Sequence, residues 1–256
     1  VTAEVATTYA QELASSSVIA SAEPDFAVAV QEEDIPADSV ISSVGAQSFQ
    51  SGATWGLDRI DQRTLPLNGA YEYDSSGIGV TAYVVDTGVF ANHDELGGRV
   101  LAGFDGIGDG RGTGDCNSHG THVSGTIAGT TYGVAKNARI VPVRVLDCSG
   151  QEGASSLIVQ GLSWVISHHQ SNPGPAVVNM SLVLYPSLAV DAAVQAVINS
   201  GITVVAASGN TGSIGAGNSC LWSPARRLRS PPYLRTLRGP SQRGTPTMCS
   251  GRRSNH

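Results

Sequence analysis

Three polar residues in this sequence have types and positions that suit acid–base chemistry at a carbonyl group. Asp86 ends the apolar run Val84-Val85 and lies at the carboxyl end of a predicted buried strand. His119 opens a segment of small residues predicted to be helical, and Asn210 follows another apolar run. A carboxylate that accepts from one imidazole nitrogen fixes the tautomer and leaves the other nitrogen as a base. The carboxamide of Asn210 can donate a hydrogen bond to a developing oxyanion.

Each of these residues also has a simpler interpretation. The Asp-Thr-Gly triplet that begins at Asp86 occurs in aspartic proteases, but that chemistry needs a second such triplet and the sequence has none. His119 and His122 are three residues apart and can ligate a metal together with Asp115 or Cys116. A single polar residue after a strand is usually a turn residue. The three residues together, in this order and on these elements, are more specific than any one of them.

The elements that must position these residues alternate between strands and helices. Four apolar runs predict buried strands at Ile78–Val85, Arg139–Leu146, Ala176–Met180 and Ile202–Ala207. A helix is predicted over Ser155–His169, and a second helix begins at the N-cap Ser187 and ends before Gly201. This alternation predicts an α/β fold with right-handed crossovers and a mostly parallel sheet. Active sites in such sheets lie at the carboxyl ends of the strands.

Composition limits the class of protein. The chain has 256 residues, of which 41% are apolar and 5% aromatic, so it can form a large domain with a buried core. No run of eighteen apolar residues occurs, which argues against a membrane-spanning helix. The sequence begins with Val1 and without a charged and apolar leader, so we expect either a removed signal peptide or a fragment.

Charge is distributed unevenly along the chain. The whole chain has 15 basic and 21 acidic residues, and residues 226–256 contain eight arginines and no acid. Residues 1–225 therefore carry 7 basic and 21 acidic residues, a net charge of −14. The basic tail has no sustained periodicity and is predicted to be disordered. Its charge could bind an anionic surface, but without interleaved aromatic residues we expect no nucleic-acid or membrane partner.

Several longer motifs make the sequence resemble the subtilisin-like serine proteases, and within them the proteinase K group. The matching segments are Trp55–Arg63, Asp115–His122, Tyr132–Lys136, Val143–Cys148, Asn179–Leu182 and Ser223–Arg226. The resemblance implies a three-layer α/β/α peptidase domain over residues 54–225 whose C-terminal part is missing. Residues 1–30 resemble the C-terminal part of the family's α+β inhibitory propeptide, and residues 31–53 are predicted to be a linker. A frame shift near residue 226 would explain the basic tail.

The resemblance also implies roles for individual residues. Asp86 orients the base, His119 is the base and Asn210 is the oxyanion donor. Ser181 and Leu182 match the strand that binds the substrate. The implied protein is a secreted serine endopeptidase that acts as a monomer on peptide or protein substrates and has its own propeptide as a partner.

Two departures from the family pattern bear on activity. The family continues Ser-Leu with Gly-Gly, whereas this chain has Val183-Leu184, whose side chains stand where glycines let a peptide approach. The family's nucleophile motif, Gly-Thr-Ser-Met-Ala, is absent, and Gly244–Cys249 has Pro246 in place of the serine. We therefore expect this chain to be inactive although its lineage is catalytic. The alternative is a non-catalytic product of a truncated or shifted gene.

The cysteines match a disulfide of the family. Cys116 and Cys148 correspond to two half-cystines that pair with each other, as suits a secreted protein. Two buried thiols are the alternative. Cys220 matches a half-cystine whose partner would lie further downstream, and Cys249 is a poor substitute for that partner.

A calcium site is the only cofactor that the resemblance implies, because the catalysis itself requires none. Asp58, Asp61, Gln62 and Asn68 resemble an oxygen-rich site found in some relatives, and hard oxygen ligands suit this ion. Helix capping and hydrogen bonding within the loop are the alternative role for these four side chains.

Overall fold

A computed structural model describes residues 25–30, 49–150, 153–207, 209 and 223–225. Within these residues the strands are β1 (Ala29–Val30), β2 (Phe49–Ser51), β3 (Ala70–Glu72), β4 (Thr81–Asp86), β5 (Phe104–Asp105), β6 (Arg139–Arg144), β7 (Ala176–Met180), β8 (Leu182–Val183) and β9 (Thr203–Ala206). The helices are α1 (Trp55–Asp61), α2 (His119–Ala128), α3 (Ser155–Ser171) and α4 (Leu188–Asn199), with a 3₁₀ turn at Asp94–Leu96. The basic tail and most of the segment that resembles a propeptide lie outside the described residues.

Five parallel strands form the central sheet in the order β5-β6-β4-β7-β9. The predicted α/β fold with a mostly parallel sheet is confirmed. The four predicted strands are present, but β4 begins at Thr81 rather than Ile78. Gly77 and Gly79 have positive φ and form a turn there, which leaves Ile78 81% exposed.

Helices α3 and α4 pack side by side on one face of the sheet. Ile158, Leu162 and Val165 of α3 are fully buried against it, whereas Ile166 is half-buried. Helix α3 continues two residues beyond its predicted end. The predicted N-cap is also present, since the Ser187 hydroxyl accepts from the backbone N–H of the third residue after it at 3.1 Å.

Helix α2 covers the opposite face and completes the three layers. Because side chains alternate along β4, Ala82 and Val84 face α2, while Tyr83 and Val85 face α3 and α4. Ala128 at the end of α2 packs in the same cluster as Ala82 and Val84. Among the described residues, no helix is long and apolar enough to cross a membrane.

The predicted linker 31–53 does not end as a loop. Residues 49–51 form β2, which pairs antiparallel with β3. Gln50 is fully buried, and its side-chain amide donates to the Thr131 carbonyl at 3.1 Å. The polar composition of this segment suggested an exposed loop. A strand forms instead, and the side-chain amide of its buried Gln50 is hydrogen-bonded to a backbone carbonyl.

A buried lysine lies beside β2. Lys136 is the only lysine of the chain and is 6% exposed. Its ammonium donates to the carbonyls of Thr131 and Gly133 at 3.1 and 3.0 Å, and lies 5.6 Å from the centre of the Tyr71 ring. Burial lowers the pKa of Lys136 to about 8, and the nearby Glu95 carboxylate offsets only part of this effect.

The pKa of Lys136 predicts a specific pH dependence of stability. The folded pKa of about 8 lies below the unfolded value, so the unfolded chain binds more protons between about pH 8 and 10.5. The free energy of unfolding should therefore rise across this window, by at most about 1.4 kcal/mol per pH unit from this group. Burial raises the pKa of Tyr71 and Tyr83 above their ordinary value of 10, so both titrate above about pH 9 and contribute little to a change measured between about pH 7 and 9.

Urea unfolding at about pH 7 and about pH 9 measures this dependence. The rise should be present in the unmodified chain and missing from Lys136→Met, whatever the absolute stability of the variant. An equal rise in both proteins would assign the dependence to other groups.

Candidate active site

Asp86 and His119 form a hydrogen-bonded pair at the carboxyl edge of the sheet. His119 Nδ1 lies 2.8 Å from Asp86 Oδ1 and 3.0 Å from Oδ2. The Asp86 side chain is fully buried, whereas 12% of the His119 side chain is exposed. Since a carboxylate accepts, the hydrogen is assigned to Nδ1, and Nε2 carries the basic lone pair. The geometry is that of an oriented general base.

Two close backbone approaches allow this pair to form. Asp86 is the last residue of β4 and His119 is the first of α2, so the helix begins directly against the end of the strand. A Cβ on Gly120 would lie 2.1 Å from the Gly88 carbonyl oxygen and 3.1 Å from Asp86 Oδ1. Gly88 itself has a φ of 108°. Glycine is therefore required on both sides of the contact.

Asp115 holds the first turn of α2. Its carboxylate accepts from the backbone N–H groups of Asn117, Ser118 and Thr121, and from the hydroxyls of Thr87 and Thr121. Burial alone would raise the pKa of Asp115, but these hydrogen bonds outweigh it and hold the pKa below its ordinary value. A negative charge at a helix N-terminus is further stabilised by the helix dipole.

An ion pair supports the same edge of the sheet. Arg144, the last residue of β6, is fully buried, and its two terminal nitrogens lie 2.7 and 2.8 Å from the carboxylate oxygens of Asp109. Its Nε donates to the Thr87 carbonyl at 3.2 Å. The hydrogen bonds from Arg144 hold the pKa of Asp109 far below its usual range. Arg144 thus connects the residue after Asp86 to the loop that leads to α2.

A groove beside the sheet holds residues 25–30. Strand β1 pairs antiparallel with β8, and Ala27 forms an antiparallel bridge with Ala154. Val28 donates its backbone N–H to the Gly153 carbonyl at 3.0 Å and is buried in the core. The segment therefore lies between two backbone edges, each of which contributes hydrogen bonds. This is the β-augmentation mode of peptide recognition.

The predicted substrate-binding residues fall in and beside this groove. Leu182 belongs to β8 and pairs with Val30, while its side chain is buried in the core. The Ser181 hydroxyl accepts from the Asn179 amide at 2.9 Å. Val183 and Leu184 replace the family's glycines without preventing pairing, because Val183 pairs through its backbone with β1 and the Leu184 side chain is buried.

Asp25 anchors the same segment at the start of α3. Its carboxylate accepts from the backbone N–H of Ser156 at 2.8 Å and from the hydroxyls of Ser155 and Ser156. The backbone N–H of Phe26 donates to the Ser155 hydroxyl, and the Ser155 N–H donates to the Phe26 carbonyl. Desolvation opposes ionisation, but the hydrogen bonds from the two serines prevail and lower the pKa of Asp25. The carboxylate acts as an N-cap supplied from a distant part of the chain.

The remaining predicted residues have different outcomes. Asn210 lies outside the described residues, so its role stays a prediction. Cys116 and Cys148 form a disulfide, as the resemblance implies.

This bond removes Cys116 from the alternative of a metal site, and Asp115 is engaged in capping α2. In the described ranges the only triplet of potential metal-binding side chains combines Asp109 with this disulfide, whose sulfurs are bonded to each other.

The four candidate calcium ligands lie together near α1. Asp58 accepts from the backbone N–H groups of Asn68 and Gly69 at 3.2 and 2.6 Å, and the Asn68 side-chain oxygen accepts from Ala70. The Gln62 amide donates to two backbone carbonyls of its own loop. These contacts fit the alternative of loop hydrogen bonding. Asp61 differs, because its Oδ1 is buried without a hydrogen-bond partner in the described part of the chain.

Sequence reasoning missed several residues of the site. Asp25 lies about 130 positions from the helix it caps, and no local pattern could reveal that contact. Arg144 lies inside an apolar strand and had no assigned role. The signal for Asp115 was present, since an acid shortly before a helix start favours capping. Near the end of α3, His168 is half-buried, hydrogen-bonded to the Tyr83 hydroxyl at 2.9 Å and stacked on Trp164.

Comparison with known proteins places this geometry in a family. Residues 77–229 match the model of the subtilase family. The extracellular serine proteinase of Thermus sp. strain Rt41A is 55% identical over 183 residues, which are 72% of this chain and 43% of that protein. The alkaline serine exoprotease A of Vibrio alginolyticus is 46% identical over 196 residues, covering 77% of this chain and 35% of that protein.

A solved structure agrees with these sequence matches. A cold-adapted subtilisin-like serine proteinase superposes with a TM-score of 0.64 and is 51% identical, covering 70% of this chain and 63% of that one. The chain spans less than half the length of the two relatives named above. The matched segment includes Asp86, His119 and all five strands of the central sheet, and the chain therefore belongs to the subtilase family.

Proposed function

We propose that this chain carries the acid–base half of a serine endopeptidase. The observation that supports the proposal is the pair of contacts from His119 Nδ1 to both carboxylate oxygens of Asp86. In this role Nε2 of His119 accepts the proton of an attacking serine hydroxyl and later donates it to the leaving amine. Asp86 orients the ring and stabilises the imidazolium. Asn210 is proposed as the donor to the oxyanion.

The substrate is proposed to be a peptide or protein chain in extended form. The groove between Gly153–Ser155 and β8 supports this, because both edges already form backbone hydrogen bonds with residues 25–30. Backbone pairing tolerates many sequences, whereas the buried position of Val28 favours an apolar side chain at that point of a ligand.

We further propose that the 256-residue chain does not hydrolyse peptides by itself. The family's nucleophile motif does not occur in its sequence, so an oriented His119 has no serine from that motif to deprotonate. The family therefore hydrolyses peptides, whereas the 256-residue chain is proposed not to.

A chimaera tests both statements. Residues after Ala225 are replaced by the segment of a proteinase K-like relative that contains Gly-Thr-Ser-Met-Ala. The unmodified chain should show no turnover of a fluorogenic peptide. The chimaera should hydrolyse it and be inactivated by a serine-directed inhibitor.

Helix α2 contains two histidines, so substitution of His122 is the control for substitution of His119. In the chimaera, His119→Gln should lower kcat by about 10⁶, the size of loss that subtilisin shows for its histidine. His122→Gln, an exposed residue of the same helix, should leave kcat unchanged. Inhibitor-sensitive turnover by the unmodified chain would contradict the proposed inactivity, and a chimaera indifferent to His119→Gln would contradict the role of the base.

We propose that residues 25–30 act as the docked end of a propeptide. Their position in the groove supports this, since a segment that fills the groove excludes a substrate from it. The Asp25 cap on α3 gives the segment a second attachment outside the ladder. The partner of the peptidase domain is then a part of its own chain.

Removal of the Asp25 carboxylate should weaken this attachment. Asp25→Ala should lower the free energy of unfolding by about 0.5–2 kcal/mol, the usual value of an N-cap. Because the pKa of Asp25 is lowered by docking, the contribution is present above the ordinary carboxyl pKa and is lost as the pH falls through the lowered value. Chemical unfolding at neutral and acidic pH measures both effects.

Asparagine at the same position is the matched control for that experiment. Asp25→Asn keeps a capping oxygen without the charge and should recover most of the stability at neutral pH. Equal stability of Asp25→Ala and the unmodified chain at neutral pH would show that the cap does not hold the segment.

We also propose a structural calcium ion bound near α1. Asp61 Oδ2 accepts from the backbone N–H of Glu72 at 2.6 Å, but its buried Oδ1 has no partner among the described residues. This supports the proposal, because a buried unsatisfied oxygen is costly without a cation or donor. Asp58, Gln62 and Asn68 supply further oxygens within the same loop, and calcium prefers six to eight oxygen ligands. The ion would hold α1 to the following loop and would take no part in catalysis.

Thermal unfolding with and without calcium tests this site. Millimolar calcium should raise Tm of the unmodified chain, since a ligand of the folded state stabilises it. Asp61→Asn should abolish the increase, whereas Asp94→Asn, which removes an exposed carboxylate elsewhere, should preserve it. An increase that survives Asp61→Asn would place the ion elsewhere, and no increase in any of the three proteins would contradict the site.

The location of the protein is proposed to be extracellular. The Cys116–Cys148 disulfide supports this, because such bonds persist in oxidising compartments. The Thermus relative is named as extracellular. We propose that the chain acts as a monomer, as the resemblance implies.

A further inference from the structure

We propose that the Thr87 hydroxyl is a positioning group that sets the distance between Asp86 and His119. This role rests on the proposed function of the Asp86–His119 pair. The hydrogen bonds of the Thr87 hydroxyl are observed independently of that function. Thr87 is fully buried and directly follows the carboxylate at the end of β4. In this role it does not contact a reacting atom and acts through its neighbours.

The hydroxyl joins the strand end to the first turn of α2. Thr87 Oγ accepts from the backbone N–H of Gly120 at 3.0 Å, one residue after His119. The same hydroxyl donates to Asp115 Oδ1 at 3.0 Å. Asp115 in turn accepts from two backbone N–H groups just before α2 and from that of Thr121 in its first turn. A single hydroxyl therefore connects the residue beside the carboxylate with the helix that carries the imidazole.

The backbone of Thr87 is fixed independently of its side chain. Its N–H donates to Asp86 Oδ1 at 2.7 Å, the oxygen that also lies nearest His119 Nδ1. Its carbonyl accepts from Nε of Arg144, which is itself held by Asp109. Because these contacts survive any change of the side chain, the hydroxyl can be tested without releasing the strand end.

Loss of the hydroxyl alone should move the helix start. Valine has nearly the shape of threonine, but it would leave the buried N–H of Gly120 without its acceptor and Asp115 Oδ1 without one donor. A buried unpaired N–H is costly, so the first turn should shift towards another partner. Since His119 is the first residue of that turn, its Nδ1 should move away from Asp86. Serine retains the hydroxyl and should retain the distance.

NMR of the 256-residue chain tests the proposal without any need for turnover. The probe is the His119 Nδ1 proton, whose low-field resonance reports its hydrogen bond to the carboxylate and is assigned by its absence from His119→Gln. Thr87→Val should lose this resonance or shift it upfield, and Thr87→Ser should restore it. Amide exchange at Gly120 should accelerate in Thr87→Val only.

Thr130→Val is the matched control at the other end of α2. Thr130 donates to the Glu95 carbonyl at 3.1 Å, so its replacement also removes a hydrogen bond from a half-buried threonine. It should lower stability and leave the His119 resonance in place. If Thr87→Val does not fold, Thr87→Ala removes the same hydroxyl and is measured in its place. A resonance unchanged in the folded hydroxyl-less variant overturns the proposal, whether or not the chimaera is active.

Discussion

The close approach of helix α2 to the end of β4 is the constraint on which the site depends. Gly120 and the Gly88 carbonyl meet at a distance that excludes any side chain at position 120. Only because the helix starts this close can the imidazole of its first residue reach a carboxylate on the strand. A larger residue at position 120 would push the start of the helix away from the strand and so lengthen the Asp86–His119 contact.

Carboxylates compensate for the polar groups that this arrangement leaves unpaired. Helix starts expose N–H groups. Asp115 accepts from one of these in the first turn of α2 and from two N–H groups just before the helix, and Asp25 accepts from one at the start of α3. Arg144 and Asp109 form an ion pair at the edge that carries α2, which offsets part of the negative charge of its carboxylates. The same carboxylates keep lowered pKa values, and the edge consequently loses stability in acid by several small contributions rather than by one.

The sequence predicted the sheet and the Asp86–His119 pair because both depend on local patterns. Apolar runs such as Ala176–Met180 are short and bounded by turn residues, which favours a buried strand over a helix. Asp86 and His119 stand at predicted element ends and can be recognised there from the sequence. Long-range contacts left no such pattern. The docking of Asp25 and the burial of Gln50 depend on partners about 130 and 80 residues away, and polar composition alone suggests exposure at both positions.

The arrangement separates the orientation of the base from the supply of the nucleophile. The described hydrogen bonds around Asp86 and His119 involve residues 87, 115, 117, 120 and 144–146, which lie at the ends of β4 and β6, on α2 or in the loop before it. The peptide groove uses a different set, from residues 153–155 and β8. Under the proposed function, a chain with this architecture can therefore form an oriented histidine and a groove that holds an extended segment, while hydrolysis would still require a serine from another segment. Membership of the family and an oriented histidine therefore do not by themselves imply that a chain hydrolyses peptides.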